Sequence, residues 1–331
     1  MTRLLSRRRV LAIGAAAAGL ALLPNGARAA GAALRVWRGT ALGASASITL
    51  HHPDSAEADR LIALCLDEIA RLERVFSLYR ADSALARLNR DGELRDPPAD
   101  LVRLLSEAAM LSEQSDGAFD VTVQPLWQLH ATHFGRPGAD PAGPPPSAVT
   151  ATLRLVGHRG LRIASDRVWF DRRGMAVTLN GIAQGCITDR VADLLRAHGM
   201  RNVLLDLGEV RALDRHPDGR PWSVGLERVG RPGSPSPALT IEDAAVATSA
   251  GYGTGFGPRG RFTHLFDPAT GASPGHWRSV TVVAPTATTA DALSTTLSVL
   301  PPARVAALLA ATPQATAYLT RPDGTVVTAG G

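Results

Sequence analysis

Apolar and polar positions alternate in Ala44-Ser45-Ala46-Ser47-Ile48-Thr49-Leu50, the period of a half-buried strand, and a strand is predicted over Leu34 to Leu50. The period then lengthens. Asp54 with Glu57 three residues on has the form of a capping box. Leu61, Leu64, Ile69, Leu72 and Phe76 follow near one face, which predicts a long helix. A second amphipathic helix is predicted from about Asp100 to Ser115, ending before Asp116-Gly117. Residues 135–147, GRPGADPAGPPPS, predict an irregular loop. Strand-like runs come next at Gly160–Ala164, Val168–Asp171 and Ala176–Leu179, then a helix at about Thr188–His198 with Gly199 as its C-cap. Val203–Leu207 reads as a buried strand, and further strands are predicted at Trp222–Glu227, Ala238–Ile241 and Ser279–Ala284. In TTADALSTTLSVL, Thr288 to Leu300, the leucines at 293, 297 and 300 have helical spacing. A helix at 302–311 and a hairpin turning at Asp323-Gly324 close the chain. There is no internal repeat. Strands and helices mixed with long irregular connections predict a single α+β domain, not a regular βαβ array.

The first thirty residues belong to a different pattern. Met1 to Arg9 is basic, Val10 to Leu23 is small or apolar, and Ala27-Arg28-Ala29 supplies a small-x-small cleavage site. The apolar run is shorter than the roughly 20 residues that cross a bilayer. Ser6-Arg7-Arg8 before Val10-Leu11 fits a twin-arginine signal, with an ordinary secretory signal or an uncleaved anchor as the alternatives. The expectation is a cleavable leader over 1–29, a mature domain over 30–331 and a periplasmic location. Removing 1–29 takes five arginines and no acid, so the formal charge falls from +5 to zero. A polyanion-binding surface is then not indicated, and no nucleic-acid partner is expected. Cys65 and Cys186 lie in apolar, helical-looking stretches, where a cysteine behaves as a small hydrophobe rather than half of a bridge. The chain has no lysine, which excludes Schiff-base chemistry and a P-loop lysine.

No G-x-S-x-G elbow is present, and His130 and His133 have no third ligand at zinc spacing. The glycines at 251, 253, 255 and 257 do not make a dinucleotide fingerprint, though such a loop lets backbone amides approach a phosphate. Three segments carry more. In FSLYRADSALARLN, Tyr79 offers a stacking face beside polar Arg80, Asp82 and Ser83, or the stretch is a helix end with a solvated turn. In DGAFDVTVQPLW, Gly117-Ala118 permits close backbone approach and Asp120 offers a hydrogen-bond acceptor. In the third, His264 precedes an Asp-Pro turn, where histidine binds phosphate or acts as acid or base. Asp291 and Thr295, at i and i+4, present two oxygens on one helix face, a donor set suited to Mg²⁺. An acid near a helix N-terminus is equally explained by the helix dipole.

Together and in order, FSLYRADS…LN, GAFDVTV, NGIAQG with its following DR, ATSAGY, HLFDPATG and ADALSTTLSV resemble the ApbE-like FAD:protein FMN transferases over almost the whole mature chain. The resemblance implies that family's mixed α/β domain, with Mg²⁺ and FAD bound together. FMN would pass from FAD to a Ser or Thr hydroxyl of a partner flavoprotein, exported or membrane-bound, with AMP leaving. It also implies Asp291, Thr295 and the carbonyl of Gly181 as metal ligands, and Tyr79, Ala118, Phe119 and Asp120 along the FAD site. His264 would stand beside the diphosphate as base or electrostatic stabiliser. The chain departs from the family pattern in three places that bear on FAD contacts. Leu42-Gly43-Ala44 replaces a Met-Gly-Thr, Thr178-Leu179-Asn180 replaces an Asp-Leu-Gly, and Gln184 replaces a Lys or Glu. Two other outcomes are compatible with such a site: hydrolysis of FAD to FMN and AMP, or flavin binding without turnover.

Overall fold

The computed structural model describes residues 33–41, 43–226, 238–252, 255–257 and 261–331. The expected leader and Leu42 lie outside the described residues. β1 (Ala33–Ala41) and β2 (Ala44–His52) form a hairpin, paired up to Ala41 and Ala44 with Gly43 at φ 78° in the turn. The single strand expected over 34–50 is therefore two, because Gly43 adopts a left-handed conformation that β-branched or bulky residues avoid. α1 (Ser55–Phe76) is capped by Asp54, which accepts from Ala56 and Glu57 N–H. It is followed by α2 (Ala84–Asp91), β3 (Glu93–Arg95) and α3 (Ala99–Gln114). α2 falls where a solvated turn was one reading. Ser83 is its N-cap, and Leu85 and Leu88 bury its inner face.

A 3₁₀ turn at Val121–Val123 leads into α4 (Gln124–Phe134), and α5 (Pro146–Leu153) closes the proline-rich loop. β4 (Leu161–Ile163) and β5 (Arg167–Phe170) join β3 in a small sheet. The strand expected at Ala176–Leu179 does not form. Its backbone is instead held by the Asn89 amide, which donates to Val177 O (2.8 Å) and accepts Val177 N–H (2.7 Å). A side chain thus replaces a strand neighbour and satisfies the buried backbone.

α6 (Ala183–Ala197), β6 (Val203–Asp206), β7 (Val210–Leu213), β8 (Trp222–Gly225), β9 (Ala238–Ile241) and β10 (Ala245–Ala250) come next. The chain ends with β11 (Gly255–Phe256), β12 (Phe262–Thr263), β13 (Ser279–Ala284), α7 (Ala287–Val299), α8 (Pro302–Ala310), β14 (Thr316–Thr320) and β15 (Val326–Gly330). Eight strands form one antiparallel sheet in the order β1-β2-β6-β7-β10-β13-β14-β15.

Helices cover one face of this sheet. Ile48, Leu50, Val203 and Leu205 pack with Leu61, Ile69, Ile187 and Val191 of α1 and α6, and with α3 behind them. Further along the sheet, Ala245, Ala247, Val280 and Val282 pack with Leu293 and Leu297 of α7. On the opposite face the β8–β9 hairpin covers Val210, Ala212 and Val246. Cys65 and Cys186 are buried and unbridged, and burial pushes both thiols up to about 12. Among the described residues no helix is long and apolar enough to cross a membrane.

Candidate active site

The N-terminal turns of α6 and α7 pack against each other, each capping the other. Asp189 of α6 accepts the N–H groups of Ala287 and Thr288 (both 2.8 Å) and the Thr288 hydroxyl (2.7 Å), completing the cap that Thr286 begins on α7. Asp291 of α7 returns the contact: its Oδ2 accepts Gly185 N–H (3.0 Å), one of the open donors in the first turn of α6. The approach is close because residue 185 is glycine. A Cβ there would stand 2.3 Å from Ala287 O.

This junction forms one wall of a cavity of about 770 Å³. Asp291, Thr295 and Gly181 all line it, as do His264, Thr178 and Gln184. A Cβ on Gly181 would meet Thr295 Oγ1 at 2.9 Å, so the backbone of 181 lies against the Thr295 hydroxyl. Thr295 Oγ1 is 3.2 Å from Ser249 Oγ, which also contacts Ser294 Oγ at 2.8 Å. Asp291 is 4% exposed, and burial pushes its carboxyl up to about 7 despite the Gly185 N–H. It is not on a solvated helix face. α7 is apolar or internally bonded all round, with Ser294, Thr296 and Ser298 donating to Asp291 O, Ala292 O and Ser294 O.

Two carboxylates unforeseen in the sequence line the same cavity. Asp206 ends β6 and Glu209 follows the turn at Gly208. Burial pushes Asp206 up to about 6, and burial with Asp291 and Asp206 nearby raises Glu209 well above the usual carboxylate range. A buried carboxylate and a hydroxyl on one wall are hard oxygen donors, and the surrounding acids favour a cation. The residues present therefore fit Mg²⁺. Among the described residues no group of three or more His, Cys, Asp or Glu side chains is placed to hold a metal.

The GAFDV segment supplies the facing wall through Ala118, Phe119 and Asp120. Asp120 lines the cavity, and its carboxylate is also held by protein donors. Oδ1 accepts Thr122 N–H (2.7 Å) and the Thr122 hydroxyl (2.6 Å), and Oδ2 accepts His158 N–H (2.8 Å). Its work is to fix the loop that carries Ala118 and Phe119. Tyr79, expected on the same wall, is 78% exposed and is not part of it. The turn between α1 and α2 is drawn inward by Ser83, whose hydroxyl donates to Ser77 O, and Tyr79 is left facing out. Gln184 packs on Gly208, where a Cβ would lie 2.3 Å from Nε2. Of the two histidines weighed for zinc, His130 is buried among Phe256, Phe262 and Phe266 with Nδ1 2.9 Å from Leu126 O, and His133 Nε2 lies 2.9 Å from Asp140 O. Both are structural.

Ser249 lies inside ATSAGY and Asp189 inside the DR pair, so their segments were visible in the sequence while their contacts were not. Asp206 and Glu209 carry no local signal, since Val203–Leu207 reads simply as a buried strand.

The chain belongs to the ApbE family, whose sequence model matches residues 42–319. Its fold superposes on the flavin transferase ApbE from Vibrio cholerae with a TM-score of 0.79 at 28% identity, covering 90% of this chain and 97% of that one. Among curated relatives, the FAD:protein FMN transferase of Treponema pallidum is 33% identical over 273 residues, 76% of this chain and 74% of the relative. That of Haemophilus influenzae is 31% identical over 239 residues, 68% of each.

Proposed function

We propose that this protein is an FAD:protein FMN transferase that uses Mg²⁺ to move FMN from FAD onto a Ser or Thr hydroxyl of a partner flavoprotein. The observation that carries the reading is the convergence of Asp291, Thr295, Gly181 and His264 on one cavity wide enough for a dinucleotide. Family membership and the names of the relatives support it. In the reaction the acceptor oxygen bonds to the FMN phosphorus, the bond from that phosphorus to the AMP oxygen breaks, and the hydroxyl proton is taken up as AMP leaves.

Asp291, Thr295 and the Gly181 carbonyl would hold the metal, which supplies charge screening and Lewis acidity at the diphosphate. His264 is the group assigned to receive the acceptor proton or to stabilise charge at the diphosphate. Ser249 orients the Thr295 hydroxyl, and the Gly185 N–H orients the Asp291 carboxylate. Phosphoryl transfer of this kind depends on such positioning more than on covalent participation by the enzyme. The reading includes export by the twin-arginine leader and an exported or membrane-bound acceptor.

The test is incubation of the mature protein with FAD, Mg²⁺ and a candidate acceptor. Covalent flavin fluorescence on the acceptor is expected, lost by at least a hundred-fold in Asp291→Ala and His264→Ala with the circular dichroism unchanged. FMN released at the same rate without an acceptor would make the protein a hydrolase, and flavin binding without turnover would make it a carrier.

A further inference from the structure

β7 carries an arginine where its neighbours carry core residues. Val210 and Ala212 face the β8–β9 hairpin, so Arg211 between them enters the helix-covered face. There its partners across the sheet are Leu205 on β6 and Ala245 on β10, both core residues. Arg211 is 6% exposed, and its Nε and Nη1 are buried with no hydrogen-bond partner. The carboxylate of Asp189 is 3.9 Å from Nε, beyond hydrogen-bond reach, and is already bonded to Ala287 and Thr288. A buried guanidinium with idle donors is costly unless something accepts from it.

The side chain lines a second cavity of about 300 Å³, bounded by α3, α6, β7 and the start of α7. Arg103, Arg190 and Arg196 share its wall, and Arg190 Nε is likewise buried without an acceptor. Three carboxylates, Glu107, Asp189 and Asp193, stand among the four arginines in the wall. The arginines' own ion pairs are loose where they border the cavity: Arg190 to Glu68 and Arg103 to Glu107 are each 3.8 Å. Arg196 pairs tightly with Asp243, at 2.6 Å.

We propose that this cavity binds a small oxyanion of the phosphate class, held by the guanidinium groups of Arg211 and Arg190 in its wall. Guanidinium groups arriving from a strand and a helix match the several oxygens of a tetrahedral anion better than one planar carboxylate. The volume accommodates such an ion with a few waters at roughly 30 Å³ each. The anion is either free phosphate or the phosphate of a nucleotide monophosphate. The site stands whether or not the chain transfers flavin, since it shares no lining residue with the larger cavity.

Calorimetric titration of the metal-free full protein with inorganic phosphate, and separately with AMP, tests the site. Saturable phosphate binding is expected, weakened at least ten-fold by Arg211→Met and three-fold or more by Arg190→Gln. Arg190 has a side chain 35% exposed, so its substitution leaves the fold in place if that of Arg211 does not. A selenate soak of wild-type crystals should place an anomalous peak beside Arg211. Displacement of phosphate by AMP but not adenosine assigns the source to a nucleotide, and no displacement assigns it to free phosphate. The proposal is overturned by absent saturable binding, by binding that both substitutions leave unchanged, or by selenate found in the larger cavity alone.

Discussion

Asp120 and His158 show how one residue's partners decide its role. The Asp120 carboxylate is encircled by Thr122 and His158 donors, and His158 Nε2 also lies 2.9 Å from Glu113 Oε1. Asp120 and then Glu113 raise the His158 pKa above its ordinary 6.5. A raised histidine stabilises the fold while protonated, so its contribution is full below about 6.5 and is lost as pH rises through the folded value. Melting temperatures of wild type and His158→Gln, measured from pH 5.5 to 9, should differ most at the acid end and converge in alkali. A gap that widens with pH would overturn the assignment. The sequence shows an aspartate three residues past Gly117. It does not show that His158, 38 residues away, donates to it.

At the scale of elements, the reciprocal capping of α6 and α7 holds the candidate metal ligands in register. Gly185→Ala would push a methyl group into Ala287 O, and the helices must separate. Overpacking of this kind costs about 1–3 kcal/mol, and the Asp291 carboxylate loses its N–H donor as the helices part. Denaturant midpoints should fall accordingly and transfer should drop by more than ten-fold, whereas Gly199→Ala, past the helix end, should affect stability alone. Amphipathic α1 and α3 were legible because each is long and exposes one face. α6 begins at Ala183, not near Thr188 as its apolar spacing indicates, since its first turn is defined by contacts with α7. β7 and β10 escaped detection for related reasons. The first is four residues long with an arginine inside, and the second, AVATSA, is too rich in alanine to show alternation.

For the whole molecule, the cavity lies where α6, α7, the β6–β7 turn and the GAFDV loop converge, so ligands that fill it bind only the assembled fold. A ligand at a hundred times its dissociation constant stabilises by about 2.7 kcal/mol. For a chain of this size that is a rise in melting temperature of roughly 4 °C. FAD with Mg²⁺ should produce a shift of this order by scanning fluorimetry. In Asp291→Ala the part that depends on Mg²⁺ should vanish, and an undiminished shift would remove Asp291 from the metal site.

The sequence by itself determined the mixed fold class, the burial of α1 and α3 and, through ordered motifs, the family. Those follow from local periodicity and local residue identity. Tertiary structure alone decided that Asp291 bonds to Gly185 106 residues away, that Asp206 and Glu209 share its cavity, that Tyr79 stands outside, and that Arg211 enters a helix-covered face. Each depends on which strands and helices become neighbours. The free energy that selects those neighbours is spread over the buried surface of the entire sheet, so no short stretch of chain encodes it.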